Sequence, residues 1–308
     1  MAATNRAHPA TRALPLVHIV ASPWQARRGV TIIPAMQDII PIRAGDAAPY
    51  ETVAGDPACG LLLLCDHASN RLPPVYGDLG LAAPEFERHI AYDIGAAPLT
   101  RALAAELGAP ALLSSYSRLL IDLNRGIDDP TLIMRLSDGA IVPGNHPLRE
   151  EERLNRIAAY HTPYHEAIAA AIERAIAAGV PPALVSIHSF TPVWRGEQRR
   201  WQIGILWDSD PRLAGPLIAE LAAEGALVVG DNEPYSGDLI GDTLYHHGTR
   251  RGLAHALIEV RQDLIADAEG VREWAERLAP IFRDLNARPG MHDVVHHGSR
   301  TGPVTPWP

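Results

Sequence analysis

The chain has 308 residues, 47% of them hydrophobic and 20% charged, an ordinary composition for a globular protein able to bury a sizeable core. Its formal charge is −9, and no Lys/Arg stripe with interleaved aromatics appears, which argues against nucleic acid as a partner. No run of about 20 apolar residues exists, so neither a transmembrane helix nor a membrane partner is expected.

In chain order, the first apolar stretch is Ala13–Ala21, broken by Pro15 and His18 and without a small-residue cleavage site. It reads as part of an N-terminal extension over residues 1–49, not as a signal peptide. A strand is predicted at Gly60–Cys65, between the only two cysteines, Cys59 and Cys65. On an extended segment they lie roughly 20 Å apart, too far for a disulfide. Buried thiols in a reducing cytoplasm fit best. A helix is predicted over Pro84–Leu107, strands at Pro110–Ser114 and Leu119–Asp122, and a long helix over Pro147–Ala178 that breaks near Pro163. There follow strands Ala183–His188 and Gln202–Trp207, helix Pro211–Glu224, strands Ala226–Gly230 and Ala254–Val260, and helix Val271–Asn286. Strands that are apolar throughout, separated by helices, indicate a three-layer α/β/α fold on a mixed, mostly parallel sheet. No Pro/Gly-rich linker interrupts residues 50–290, which predicts one domain there. The Pro/Gly/His-rich stretch Arg288–Pro308 reads as a surface tail, with residues 291–308 outside that domain. No GxGxxG or Walker-type loop points to a nucleotide cofactor.

Polar residues that hold metals or move protons stand near the ends of three predicted strands: His67, His188 and Glu259. In a mostly parallel sheet, binding groups collect outside the carboxyl ends of the strands. Two histidines and one oxygen ligand make the protein half of a catalytic zinc site, so zinc is the expected cofactor. The oxygen ligand stays open. Asn70 follows His67 by three residues and can reach the same ion through a tight turn. Asp66 adjoins His67 as a ligand or as its hydrogen-bonding partner. Asp93, on the first predicted helix, is a carboxylate within an apolar face. His89, His146, His161, His165 and His255 read as ordinary core or surface residues.

Glu259 is flanked by strand formers. It serves either as a general base beside the metal or as the ion-pair partner of Arg261, which alternation sends to the same face. Arg118 and Arg125 bracket a short apolar run. They are carboxylate clamps or partners of Asp122 and Asp128. The loop carrying Tyr235, Tyr245, His246 and His247 contains Gly237, Gly241 and Gly248 and reads as a surface loop.

The segments Asp66–Pro73, Ser117–Arg125, Ile187–Phe190, Asn232–Gly237 and Ile258–Ile265 occur in an order that resembles the N-formylglutamate amidohydrolase family. The similarity spans roughly residues 50–285. It implies a zinc-exopeptidase-like fold, distantly similar to zinc carboxypeptidases and aspartoacylase-like deacylases. It further implies that His67 and His188 hold zinc and that Glu259 is the general base. Asn124 and Arg125 would bind the substrate carboxylate, and Arg118 would polarise the scissile carbonyl. Asn70 stands where those relatives have a glutamate ligand, so Asp93 is the alternative third ligand. The expected activity is hydrolysis of an N-formyl or other small N-acyl group from an acidic amino acid. A non-catalytic carboxylate binder and a carboxypeptidase-type peptidase are the rival readings. The oligomeric state is open.

Overall fold

Leu61–Cys65 is buried at every position, as is the longer run Ala183–Phe190, so both must be central strands covered on two faces. The computed structural model describes residues 47–307; the apolar stretch Ala13–Ala21 and residues 1–46 of the predicted extension lie outside them. The elements in chain order begin with β1 (Tyr50–Val53), β2 (Leu61–Cys65), α1 (Ala96–Leu107) and β3 (Ala111–Ser114). A small hairpin follows, β4 (Leu136–Ser137) and β5 (Ala140–Ile141), then α2 (Glu150–Arg156), α3 (Thr162–Ala177) and β6 (Ala183–Phe190). A second hairpin, β7 (Val193–Trp194) and β8 (Glu197–Gln198), precedes β9 (Ile203–Leu206), α4 (Pro211–Ala223) and β10 (Val229–Asp231). Last come α5 (Thr243–His247), β11 (His255–Arg261) and α6 (Ala268–Asn286).

Among the described residues, seven strands form one sheet in the order β1-β3-β2-β6-β11-β9-β10. The four central strands β3, β2, β6 and β11 are parallel to one another. β1 runs antiparallel to β3, and β9 antiparallel to β11, with β10 parallel to β9. The sheet is therefore mixed and mostly parallel, and helices cover both faces. Alternation divides the core. Leu61, Leu63, Val185, Ile187, Ile258 and Val260 pack with α1, α4 and α6. Leu62, Leu64, Leu184, Leu206 and Leu257 pack with α3 and α5. No helix among the described residues is long and apolar enough to cross a membrane.

Three predicted elements differ. Leu119–Asp122 is a buried turn and not a strand, because the Leu120 and Asp122 amides bond locally to the Ser117 and Leu132 carbonyls. The first long helix splits into a short 3-10 turn, Ala83–Glu87, and α1; between them Asp93 lies in irregular chain, with its amide donating to the His67 carbonyl. The break expected near Pro163 is a π-helical turn over Ile157–His161 that carries α2 into α3. One wider turn before Pro163 accommodates the ring and the missing amide hydrogen without ending the helix.

Candidate active site

β6 and β11 end opposite each other and β2 stops a little earlier, and side chains near these three ends face one place. Register pairs Glu259 with His188 on adjacent parallel strands, so both project from the same face of the sheet. His67 follows β2, and its carbonyl anchors the turn that delivers Asp93. The rings of His67 and His188 stand 4.9 Å apart, edge to face. Both turn Nδ1 toward Asp93 Oδ2, at 3.3 Å and 2.8 Å respectively. Each turns its other nitrogen to a second carboxylate: His67 Nε2 to Asp122 at 2.7 Å, and His188 Nε2 to Asp66 at 3.1 Å.

All of these groups are buried, so their charges interact strongly. Burial alone would raise the pKa of Asp66. Donation from His188 and Thr243, with the charges of His188 and His67, instead pulls it down to about 2. Tyr164 and Ser186 also donate to it, each at 3.0 Å. Asp93 is held low against burial by the two imidazoles, and Asp122 by Arg118 and His67. His188 moves the other way, to about 10: Asp66 and Asp93 stabilise its imidazolium more than burial disfavours it.

His67, Asp93 and His188 offer ligand atoms that all lie within 4.8 Å of one another, so these three can hold one metal ion. The chemistry of the set fits a divalent cation. Asp66, Asp93 and Asp122 converge on the two imidazoles, and Arg118 pairs with Asp122 at 2.7 Å and approaches Asp93 at 3.5 Å. Two imidazoles backed by carboxylates are the usual surroundings of a bound metal.

Asn70 is not in this group. Its amide donates to the Phe86 carbonyl at 2.9 Å, and the carboxylate beside both histidines is that of Asp93. Asp66 is placed behind His188 and not between the rings. A cavity of about 250 Å3 opens over the cluster and is lined by Arg118, Asn124, Arg125 and Glu259 as well. Glu259 does not pair with Arg261, whose guanidinium goes to Asp263 at 2.8 Å. Burial raises Glu259 to about 7, and its Oε2 is buried with no hydrogen-bond partner. Arg125 donates to the Asn124 carbonyl and to Thr131, while Asn124 Oδ1 accepts the Thr243 amide at 3.1 Å. Tyr235 and Tyr245 line the cavity, whereas His247 is buried and stacks on His165.

Sequence reasoning missed the parts that orient the site. The sequence predicts Asp122 only as a partner of Arg118, yet it also braces His67. Ser186 precedes His188 by two residues, on the same strand face, and that alternation was a legible signal. Tyr164, Thr243, His161 and His165 carried none. His161 contacts the Arg125 carbonyl at 2.9 Å and His165 the Leu123 carbonyl at 3.0 Å, gripping the chain on either side of Asn124.

Comparison with known proteins adds the following. The family model described as N-formylglutamate amidohydrolase matches residues 59–266. The chain is 30% identical over 252 residues to an N-formylglutamate deformylase of Pseudomonas aeruginosa, covering 73% of this chain and 90% of that enzyme. The crystal structure of a gene product of Agrobacterium tumefaciens is 36% identical, with a TM-score of 0.72, covering 78% of this chain and 95% of that one. An N-formylglutamate amidohydrolase of Ralstonia eutropha shares the fold at 23% identity and a TM-score of 0.57, covering 78% and 96%.

Proposed function

The chain belongs to the N-formylglutamate amidohydrolase family, and on that premise we propose that it is a zinc-dependent hydrolase of N-formyl or other small N-acyl amino acids. N-formyl-L-glutamate, named for two of its relatives, is the reference substrate. It is a hydrolase acting on linear amide bonds. The observation that carries the metal-dependent reading is the meeting of His67, Asp93 and His188 under one cavity with an unpartnered Glu259 oxygen.

His67, Asp93 and His188 would hold the ion, with Asp122 and Asp66 fixing the two rings from behind. A divalent cation there supplies Lewis-acid polarisation of the acyl carbonyl and acidifies water. Glu259 accepts a proton from the attacking water at its free carboxylate oxygen and returns it to the leaving nitrogen. The water oxygen first bonds to the acyl carbon, and the C–N bond then breaks as its nitrogen takes the proton from Glu259, releasing formate, or another short acid, and the free amino acid. A residue poised near neutrality suits both halves of that transfer. Arg118, locked by Asp122 and Asp93, provides fixed positive charge beside the developing oxyanion. Arg125, with Asn124, grips the α-carboxylate and fixes the amide relative to Glu259. Two unbridged thiols, Cys59 and Cys65, support a reducing, cytoplasmic setting.

The test is formate release from N-formyl amino acids by zinc-loaded protein, with and without a chelator. Glu259→Gln is expected to lower kcat by about 10²–10⁴ while metal content stays the same. Full activity of that variant removes the proposed base; full activity after verified metal loss removes the metal.

A further inference from the structure

The cavity over the metal cluster has an aromatic edge. Phe190 and Thr191, at the end of β6, and Tyr235, in the loop after β10, line it. Against them lies the guanidinium of Arg199, which follows the β7–β8 hairpin. It stands 5.5 Å from the ring centre of Phe190, 5.4 Å from that of Trp194 and 4.9 Å from that of Tyr235. Its Nη1 donates to the Tyr235 hydroxyl at 2.8 Å.

The backbone fixes this pair beside the proposed base. The Arg199 amide donates to the Pro192 carbonyl at 2.8 Å, and its own carbonyl accepts from Arg261 Nη1 at 3.2 Å. Arg261 lies two residues beyond Glu259 on β11. Tyr235 follows Glu233 by two residues, and the Glu233 carbonyl rests against Gly204, the register partner of Glu259.

Both groups have donors to spare. Among the described residues, the polar side-chain partners of Arg199 are Thr191 and Tyr235, and no carboxylate is one of them. The Tyr235 oxygen accepts from Arg199, so the phenol hydrogen is left to donate elsewhere. The phenol keeps that hydrogen: burial raises its pKa, Glu259 and Asp93 add to the rise, and Arg199 opposes it.

The other guanidiniums near the cavity are assigned. Arg118 is committed to Asp122 and Asp93, Arg125 takes the α-carboxylate in the reading above, and Arg300 is paired with Asp208. An acidic amino acid brings a second carboxylate, which needs donors of its own once it leaves water.

We propose that Arg199, with Tyr235, is the specificity-determining subsite for the side-chain carboxylate of the substrate. The guanidinium meets that carboxylate as a planar donor, and the Tyr235 hydroxyl adds a further bond. The three rings keep water from part of the guanidinium, which leaves its attraction for an anion less screened. The inference rests on the hydrolase reading and deepens it, by assigning the residues that separate an acidic amino acid from a neutral one of the same shape.

The experiment compares kcat/KM of the zinc-loaded enzyme on N-formyl-L-glutamate and on its isosteric side-chain amide, N-formyl-L-glutamine. Wild type should prefer glutamate by about 10- to 100-fold. Arg199→Gln should bring the two substrates to within about three-fold, by raising KM for glutamate while glutamine is unaffected. Tyr235→Phe should remove part of the preference and serves as the second variant should Arg199→Gln fail to fold. Equal losses on both substrates, or an unchanged ratio, overturn the proposal, because a merely structural role cannot tell the two side chains apart. Arg300→Ala should keep the ratio; loss of the preference there and not in Arg199→Gln moves the subsite to Asp208 and overturns the proposal as well. Calorimetric binding of both compounds to zinc-loaded Glu259→Gln protein, with and without Arg199→Gln, should repeat the pattern. Discrimination that depends on Arg199 in binding but without turnover by wild type keeps the subsite and removes the hydrolase reading alone.

Discussion

Asp242 caps α5 through Oδ1, which accepts the Tyr245 amide at 2.6 Å, while the rest of its carboxyl is buried at the cavity wall. Burial raises it from an ordinary 3.8 to about 7; Asp66 adds to that rise, and the Tyr245 amide, Arg125 and His188 oppose it. The sign of the consequence follows from linkage. Between about pH 4 and 7 the folded protein holds a proton here that the unfolded chain has lost, so stability falls as pH rises through that window. Asp242→Asn keeps an acceptor for the cap and removes the charge. Chemical denaturation at several pH values should find the variant equal to wild type near pH 4 and more stable by up to a few kcal/mol above pH 7. Equal stability at all pH values would mean that Asp242 ionises freely in the fold. The neighbouring Asp66 shows the opposite solution to the same burial: with Tyr164, Thr243, Ser186 and His188 all directed at it, its carboxylate stays charged.

One pairing between strands decides whether the loop after β10 can lie beside the proposed base. In the antiparallel pair β9–β11, Gly204 sits opposite Glu259. A Cβ on Gly204 would stand 2.1 Å from the Glu233 carbonyl oxygen, so the glycine leaves the gap that this loop fills. Gly204→Ala should displace Glu233 and Pro234 and with them Tyr235, costing about 1–3 kcal/mol of stability and lowering kcat/KM. Gly215→Ala is the matched control. It lies inside α4, where the nearest atom to an added Cβ is at 3.9 Å, and should stabilise by up to about 1 kcal/mol. Thermal melts and steady-state kinetics on both variants separate the loop from a general intolerance of alanine. The same strands show what was legible in the sequence. β2, β6 and β11 announced themselves because strands covered on two faces must be apolar at every position, and a histidine or glutamate at their ends then stands out. The sequence predicts Asp93 as a helix residue, since Pro84–Leu107 has a helical pattern whose interruption comes from tertiary contacts around His67. Which oxygen joins the two imidazoles depends on how that turn folds back, a matter of long-range geometry and not of spacing. Asn70, three residues from His67, had the better spacing and is turned to Phe86 instead.

At the scale of the whole molecule, the residues after α6 are held against the sheet layer by backbone and arginine contacts. The Val295 amide donates to the Gly252 carbonyl at 2.8 Å, and the Trp307 amide to the Arg250 carbonyl at 2.6 Å, beneath the Arg251 guanidinium. Arg212 of α4 reaches the Gly290 and Asp293 carbonyls. Arg300 couples this segment to the cavity. Its amide and guanidinium both donate to Asp208, it hydrogen-bonds the Trp207 carbonyl, and it lies 5.3 Å over the Trp207 ring. Trp207 and Asp208 line the cavity from the other side. The Arg300 side chain is 44% exposed, so its ion pair with Asp208 is screened and modest. Arg300→Ala should therefore cost only about 1 kcal/mol, most of it from leaving the buried Asp208 carboxylate without its cation. Asp208→Asn in the same chain should recover that loss, because an amide there needs no counter-charge. Stabilities of the two single variants and the double variant, measured by denaturation, close the cycle. Strict additivity would show that the C-terminal segment lies against the cavity wall without supporting it, whereas coupling makes that segment part of the wall.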